Sequence, residues 1–221
     1  MTDIQKPNYQ KQLANILSQT AEKNKHSPDK KQTLLLHACC APCSSYVLEY
    51  LSSYFDITIL YYNPNIYPPK EYSRRLAELE KFLTTFPPAV KNHVNLVKTS
   101  YIPQEYDDAV QIKKDPTLAE EHERGERCRR CYLFRMKKAY EYAFEHCFDW
   151  FTTTLSISPF KDAEKINEIG NSLQQQTGPR FLTSDFKKNS GFLRSLQLSA
   201  EYGLYRQQYC GCRYSLANTK H

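Results

Sequence analysis

The sequence predicts an α/β domain, a mainly parallel sheet with helices on both faces, and two observations carry that reading. Short apolar runs such as "TLLLH" and "ITILYYN" alternate with longer segments whose apolar residues recur every three or four positions, the order expected of parallel sheets crossed by helices. A chain of 221 residues also buries roughly 70% of its unfolded surface, so it needs neither disulfides nor a structural metal to fold.

The elements follow in order. Residues 1–31 are rich in Lys, Gln, Asn and Ser, with one weakly apolar stretch near Leu13 to Leu17. They read as a polar amino-terminal arm or peripheral helix outside the core, and residues 32–221 as a single catalytic domain. "TLLLH" reads as a buried strand, "CSSYVLEYLSSYF" as a helix and "ITILYYN" as a second strand. "PPKEYSRRLAELEKFLTTF" is a helix with Leu76, Leu79, Leu83 and Phe86 on one face, stopped by Pro87 and Pro88. "VNLVKTS" reads as strand and "QEYDDAVQI" as a short helix. "CRRC" opens a long helix carrying Leu133, Met136, Tyr140, Ala143, Phe144 and Cys147 on one side. "DWFTTTLSIS" returns as a strand, and Ser158 with Pro159 are expected to begin the next helix. "RFLTS" and "SGFLRSLQLSAEYGL" supply the last strand and helix.

No run of about 18 apolar residues exists, so no membrane-spanning helix is expected. The amino-terminal segment lacks the apolar core of a signal peptide, and the expectation is a cytoplasmic protein. The net charge is +6, with 17 tyrosines and 11 phenylalanines, a composition that suits a polyanion offering bases to stack on and equally suits a basic surface that binds nothing.

Eight cysteines are surplus to stability, and seven fall in three tight groups: Cys39, Cys40 and Cys43; Cys128 and Cys131; Cys210 and Cys212. Free thiols gathered in groups serve neither packing nor solubility, and soft sulfur donors select iron–sulfur clusters or zinc. A structural zinc site would space two pairs by roughly 12 to 20 residues and use four ligands. Here the gaps between groups are about 80 residues and the count exceeds four. Four thiolates would complete a [4Fe-4S] cubane; the other three could hold a second metal or form a redox disulfide. A Cys210–Cys212 bridge would close a small strained ring, and strained bridges are easily reduced. Cys39, Cys40 and Cys43 lie where a strand runs into a helix amino terminus, whose N–H groups and dipole favour thiolate, in the loop position where parallel sheets place their sites. His37, at the strand end, reads more readily as a hydrogen-bonded structural residue than as a ligand. Cys147 reads as a small hydrophobe on the helix face, outside the site.

At "HACCAPC", "YYNPNIYPPKEYSRR", "ERCRRCYLFR", "FTTTLSISPFKD", "SDFKKNSGFLRS" and "YRQQYCGC" the chain resembles the cobalamin-independent epoxyqueuosine reductases, over about Thr33 to Tyr214. The resemblance implies two-electron removal of the epoxide oxygen from epoxyqueuosine at the wobble position of tRNA, with an external electron donor. It implies a [4Fe-4S] cluster on Cys39, Cys40, Cys128 and Cys131, and a redox-active pair in Cys210 and Cys212. A second mononuclear metal, iron or zinc, is also considered for the family, and Cys43 with Cys210 and Cys212 could hold it. The first strand, loop and helix also look like the adenine-nucleotide-binding fold of tRNA-thiolating enzymes, with "HACCAPCSS" where that fold carries "SGGxDS". An ATP-dependent thiolating enzyme and a zinc-bound RNA-binding module are therefore the alternatives, and metal analysis separates them.

Asp185, Lys187 and Lys188 in "SDFKKNS" and Arg194 in "GFLRS" lie in a matched motif that also reads as a helix cap and a solvated basic run; Asp185 ranks first as proton donor or metal ligand, and the lysines suit phosphate contacts. The substrate base would enter a pocket lined by aromatic residues such as Tyr61, Tyr62 or Tyr132.

Overall fold

A computed structural model of the protein describes residues 7–26 and 30–218. Among these, five strands form one sheet: β1 (Gln32–His37), β2 (Phe55–Tyr61), β3 (Asn95–Lys98), β4 (Trp150–Thr153) and β5 (Arg180–Phe181). Their order is β3-β2-β1-β4-β5 and every pair is parallel. The helices are α1 (Tyr9–His26), α2 (Ala41–Leu51), α3 (Pro69–Thr85), α4 (Pro87–Lys91), α5 (Pro103–Val110), α6 (Glu126–Glu145), α7 (Ala163–Leu173), α8 (Gly191–Glu201) and α9 (Arg213–Asn218).

The leucine run of β1 is continuous because the strand is central and buried on both sides. Leu34 and Leu36 enter one apolar cluster with residues of α1, α2, α3 and α8, while Leu35 enters another with residues of α6 and α7. β2 splits the same way, Ile57 and Ile59 to the first cluster and Leu60 to the second. The expected α/β architecture with helices on both faces is thus present. Cross-over direction changes between β1 and β4, since β2 and β3 lie on one side of β1 and β4 and β5 on the other. That crevice at the carboxyl ends is where such sheets bind ligands.

Four details differ from the sequence reading. The polar amino-terminal segment holds α1, whose Leu13 and Leu17 are buried in the first cluster, so the segment contributes to the core although its other residues are polar. The buried face of α6 is Cys128, Cys131, Tyr132, Arg135, Met136, Ala139, Tyr140 and Ala143; Leu133 and Phe144 are exposed, because the face is rotated towards the thiols. Cys147 lies beyond that helix, exposed, with φ 55°, in the left-handed turn that ends it. Ser158 and Pro159 belong to a turn, and α7 starts five residues later than expected, capped by Asp162 Oδ1 accepting from Lys165 N–H at 3.1 Å.

Leu13 is fully buried, so Leu13→Ala should destabilise the protein by about 2–5 kcal/mol, the range for emptying a core leucine site. Denaturant unfolding measures it; a loss below about 0.5 kcal/mol would mean α1 does not pack as described.

Candidate metal centre and substrate cavity

The loop after β1 is built to present sulfur. Cys40 is the N-cap of α2 in extended conformation, its Sγ accepting from Cys43 N–H at 3.4 Å, and Pro42 occupies the first turn, where no N–H is missed. Cys39, Cys40 and Cys43 then hold their Sγ atoms within 4.8 Å of one another. Neighbouring thiols of Cys40 and Cys43 hold Cys39 well below the ordinary thiol range, assisted by Arg135 and Arg75 and opposed by burial. Burial, in contrast, pushes Cys40 up to about 12. One thiolate shared within a tight triad is the expected result of placing three sulfurs in contact.

The second pair sits in the first turns of α6. Cys128 and Cys131 face inward and line a small cavity with Cys210 and Cys212, so four thiols from two distant segments share one space. Burial raises Cys128 and pushes Cys131 up to about 11. The Cys210 and Cys212 sulfurs are 3.8 Å apart and unbonded, and no disulfide exists among the described residues. The Cys212 thiol, with Lys161 beyond it, holds Cys210 well below the ordinary range. Gly211, between them, has φ 118°, and a Cβ there would lie 3.0 Å from Arg75 Nη1. Only glycine fits both the backbone and the space. The structure thus brings the grouped thiols into a triad and a set of four.

Three buried arginines surround the sulfurs, and the sequence reading named none of them. Arg75 donates from Nε to Glu71 at 2.7 Å and from Nη1 to the Cys210 carbonyl at 3.5 Å. Arg127 donates to the carbonyls of Leu118, Ala119 and Glu121, clamping the loop before α6. Arg135 donates from Nη2 to Asn63 Oδ1 at 2.5 Å, while Asn63 Nδ2 donates to the Ala38 carbonyl at 2.8 Å. That chain ties α6 to the loops after β1 and β2. One signal for Arg135 was available: it lies four residues after Cys131, on the same helical face.

His37 is structural in its contacts, bonded through Nδ1 to Thr153 Oγ1 at 2.9 Å and through Nε2 to the Tyr62 carbonyl at 3.2 Å. Complete burial, with Arg135 nearby, lowers it to about 3, so the ring is neutral. Gln207 Nε2 donates to Cys40 Sγ at 3.3 Å and brings the carboxy-terminal loop against the triad. Ser215 Oγ accepts from Cys210 N–H at 3.2 Å and donates to Glu123 Oε1 at 2.9 Å.

A cavity of about 370 Å³ opens above the thiols. Cys39, Cys43 and Cys210 lie on its wall with Arg135 and Lys161, and Phe160, Phe192, Arg206, Gln208 and Tyr209 are among its other lining residues. The volume suits one small organic group. Tyr61 and Tyr62 do not line it. Tyr61 is core, its hydroxyl donating to the Tyr72 carbonyl, and Tyr62 donates to Glu105. Tyr132 faces the small thiol cavity instead. The aromatic lining of the large cavity comes from Phe160, Phe192 and Tyr209, which replace the expected tyrosines because β2 residues point into the packed faces. Asp185 is absent from both linings and is held by Lys187 Nζ at 2.6 Å; Lys188 is exposed, and Arg194 is paired with Glu49 at 2.6 and 2.9 Å.

The residues fit a sulfur-bound metal group on their own chemistry. Seven thiols supply soft donors, and Asn65 Oδ1 and the Tyr132 hydroxyl, both at the small cavity, are buried with no hydrogen-bond partner. A buried polar atom without a partner marks a place completed by something else. In the metal-free protein, an alkylating reagent at neutral pH should label exposed Cys147 and part-exposed Cys210 first and Cys40, Cys131 and Cys212 last. Peptide mass spectrometry over time reads the order, and equal rates for Cys131 and Cys147 would contradict the geometry.

The chain was compared with known proteins. The family model for epoxyqueuosine reductase QueH matches residues 34–218. Epoxyqueuosine reductase QueH of Streptococcus pyogenes serotype M1 is 40% identical over 215 residues, 97% of this chain and 80% of that protein. The Staphylococcus epidermidis protein of that name is 41% identical over 208 residues, 94% of this chain and 84% of its own length. That from Thermotoga maritima is 34% identical over 191 residues, 83% and 90% of the two chains. With its thiol motifs assembled at the sheet's carboxyl edge and a family model spanning the folded domain, the chain belongs to the epoxyqueuosine reductase QueH family.

Proposed function

We propose that the protein reduces epoxyqueuosine to queuosine in tRNA, using an iron–sulfur cluster and a second thiol or metal centre held by its seven grouped cysteines. The observation that carries this is the convergence of three separate thiol motifs on two adjoining cavities, with Cys210 lining both. A zinc clip would not need a nucleoside-sized cavity beside it, and an ATP site would need a phosphate cradle that "HACCAPC" does not supply.

The reaction takes an epoxide, two electrons and two protons to an alkene and water. A [4Fe-4S] cluster supplies electrons one at a time, so a second redox or metal centre, with an external one-electron donor, completes the pair. Cys39, Cys40, Cys128 and Cys131 are the residues proposed for the cluster, with Cys43, Cys210 and Cys212 proposed for the second centre. The chain's own residues do the rest. Arg75 and Arg135 balance the negative charge of the thiolates, Asn63 and Gln207 hold the loops that carry them, and the apolar wall of Leu155 and Ile157 keeps water from the reacting carbons. Phe160, Phe192 and Tyr209 offer flat surfaces to a base splayed out of the anticodon loop, and Arg206 offers a cation to its phosphates. Binding to tRNA would then weaken as salt rises, through counterion release. A substrate carried on tRNA is consistent with a cytoplasmic enzyme, and no helix among the described residues is long and apolar enough to cross a membrane.

Cys128→Ala and Cys131→Ala should each lose most of the iron bound after anaerobic reconstitution, and with it the conversion of epoxyqueuosine. Cys147→Ala should keep both, since that thiol is exposed and outside the cavities. Iron-to-protein ratios and nucleoside analysis of treated tRNA decide it; a colourless wild-type protein after reconstitution with iron and sulfide would refute the cofactor reading.

A further inference from the structure

Lys161 closes the turn after β4, and its place is fixed by the backbone around it. Its N–H donates to the Ser158 carbonyl at 3.2 Å, Phe160 N–H donates to Ser158 Oγ at 3.2 Å, and the Arg124 guanidinium donates to the Pro159 carbonyl. The side chain is 9% exposed and lines both the large cavity and the small thiol cavity. Yet among the described residues Nζ has neither an ion pair nor a hydrogen bond: the Tyr132 ring centroid lies 6.0 Å away, and Cys210, Glu123 and Cys128 act on the ammonium only as surrounding negative charge.

The other buried cations show what is unusual here. Arg75 has Glu71, Arg127 has three carbonyls, and Arg135 has Asn63. Lys161 has negative charge around it, from Cys210 above all, but no acceptor that takes its N–H groups, so those donors are left to what enters the cavity. A group that needs a cation with three free donors is an oxygen on which charge develops.

Resting on the reductase reading above, we infer that Lys161 is a catalytic residue: its ammonium donates a hydrogen bond to the epoxide oxygen and hands it a proton as it leaves. Both carbon–oxygen bonds break and a carbon–carbon double bond forms. Two electrons, delivered one at a time by an external one-electron donor, complete the reduction. The oxygen takes one proton from Lys161 and one from water and departs as water, and solvent in the cavity restores the ammonium.

The test uses anaerobically reconstituted protein with Lys161→Met and Lys161→Arg. The methionine variant should keep wild-type iron and sulfide content and wild-type affinity for an anticodon stem-loop RNA. Its kcat should fall by about 10²- to 10⁴-fold with KM little changed, the size of a general acid's contribution. Metal-free Lys161→Met should melt close to wild type, because no hydrogen bond or ion pair of Nζ is lost with the ammonium. Lys161→Arg, which keeps a cation and its donors, should recover part of the lost kcat. A Lys161→Met kcat within threefold of wild type would overturn the inference. So would loss of iron together with a lower melting temperature, which would assign the ammonium to the thiolates instead. If wild type itself left epoxyqueuosine unconverted, the reductase reading would fall and this assignment with it.

Discussion

Sulfur is tolerable inside this protein because positive charge is buried with it. Seven grouped thiols, most of them shielded from water, would repel one another as thiolates, and the low-dielectric interior would magnify the repulsion. Arg75, Arg127 and Arg135, at most 3% exposed, oppose it from three sides, and Lys161 adds a fourth cation. The guanidinium is suited to this work because it keeps its proton and its fork can be tied to carbonyls and amides that hold it in place. Their partners, Glu71, the 118–121 carbonyls and Asn63, exist in turn to hold the arginines. Most of the polar structure around the sheet's carboxyl edge follows from that requirement.

The sheet meets it by topology. β1 is central, so its carboxyl end faces the crevice between outward- and inward-running connections, and the loops after β1, β2 and β4 arrive there together. Asn63 joins the first two loops, Arg135 joins them to α6, and Gln207 joins the carboxy-terminal segment to Cys40. Gly211 lets that segment pass close against Arg75 and Ile66 with φ 118°, a conformation that side-chain-bearing residues rarely adopt. Chain segments far apart in sequence are therefore locked by hydrogen bonds at the site, while apolar clusters on the two faces hold the sheet and helices.

This division explains what could be read from the sequence. The strands and helices follow hydrophobic period, which is local, and the thiol groups declare themselves by composition. Leu13 and Leu17 escaped because two buried leucines among polar residues give a weak signal, although one helical face needs no more to dock. On α6, apolarity points to Leu133 and Phe144 as core and gives no sign of Arg135, whereas burial follows the thiols. Aromaticity alone points to Tyr61 and Tyr62 as pocket lining, but at the end of a central strand successive residues turn to two packed faces. Lys161 sat inside a quoted motif unremarked, since a lysine reads as surface until the fold buries it.

Groups left without partners mark where the fold yields to function. Asn65 Oδ1 and the Tyr132 hydroxyl have no hydrogen-bond partner, and both residues line the small thiol cavity with Lys161. A core optimised only for stability would have replaced them with apolar side chains, which at a site of this kind is often neutral or stabilising. Their retention places unfavourable terms beside the thiols, between apolar clusters large enough to tolerate them. The chain is thus expected to fold without a metal, because its two apolar clusters hold the sheet and helices independently of the thiols.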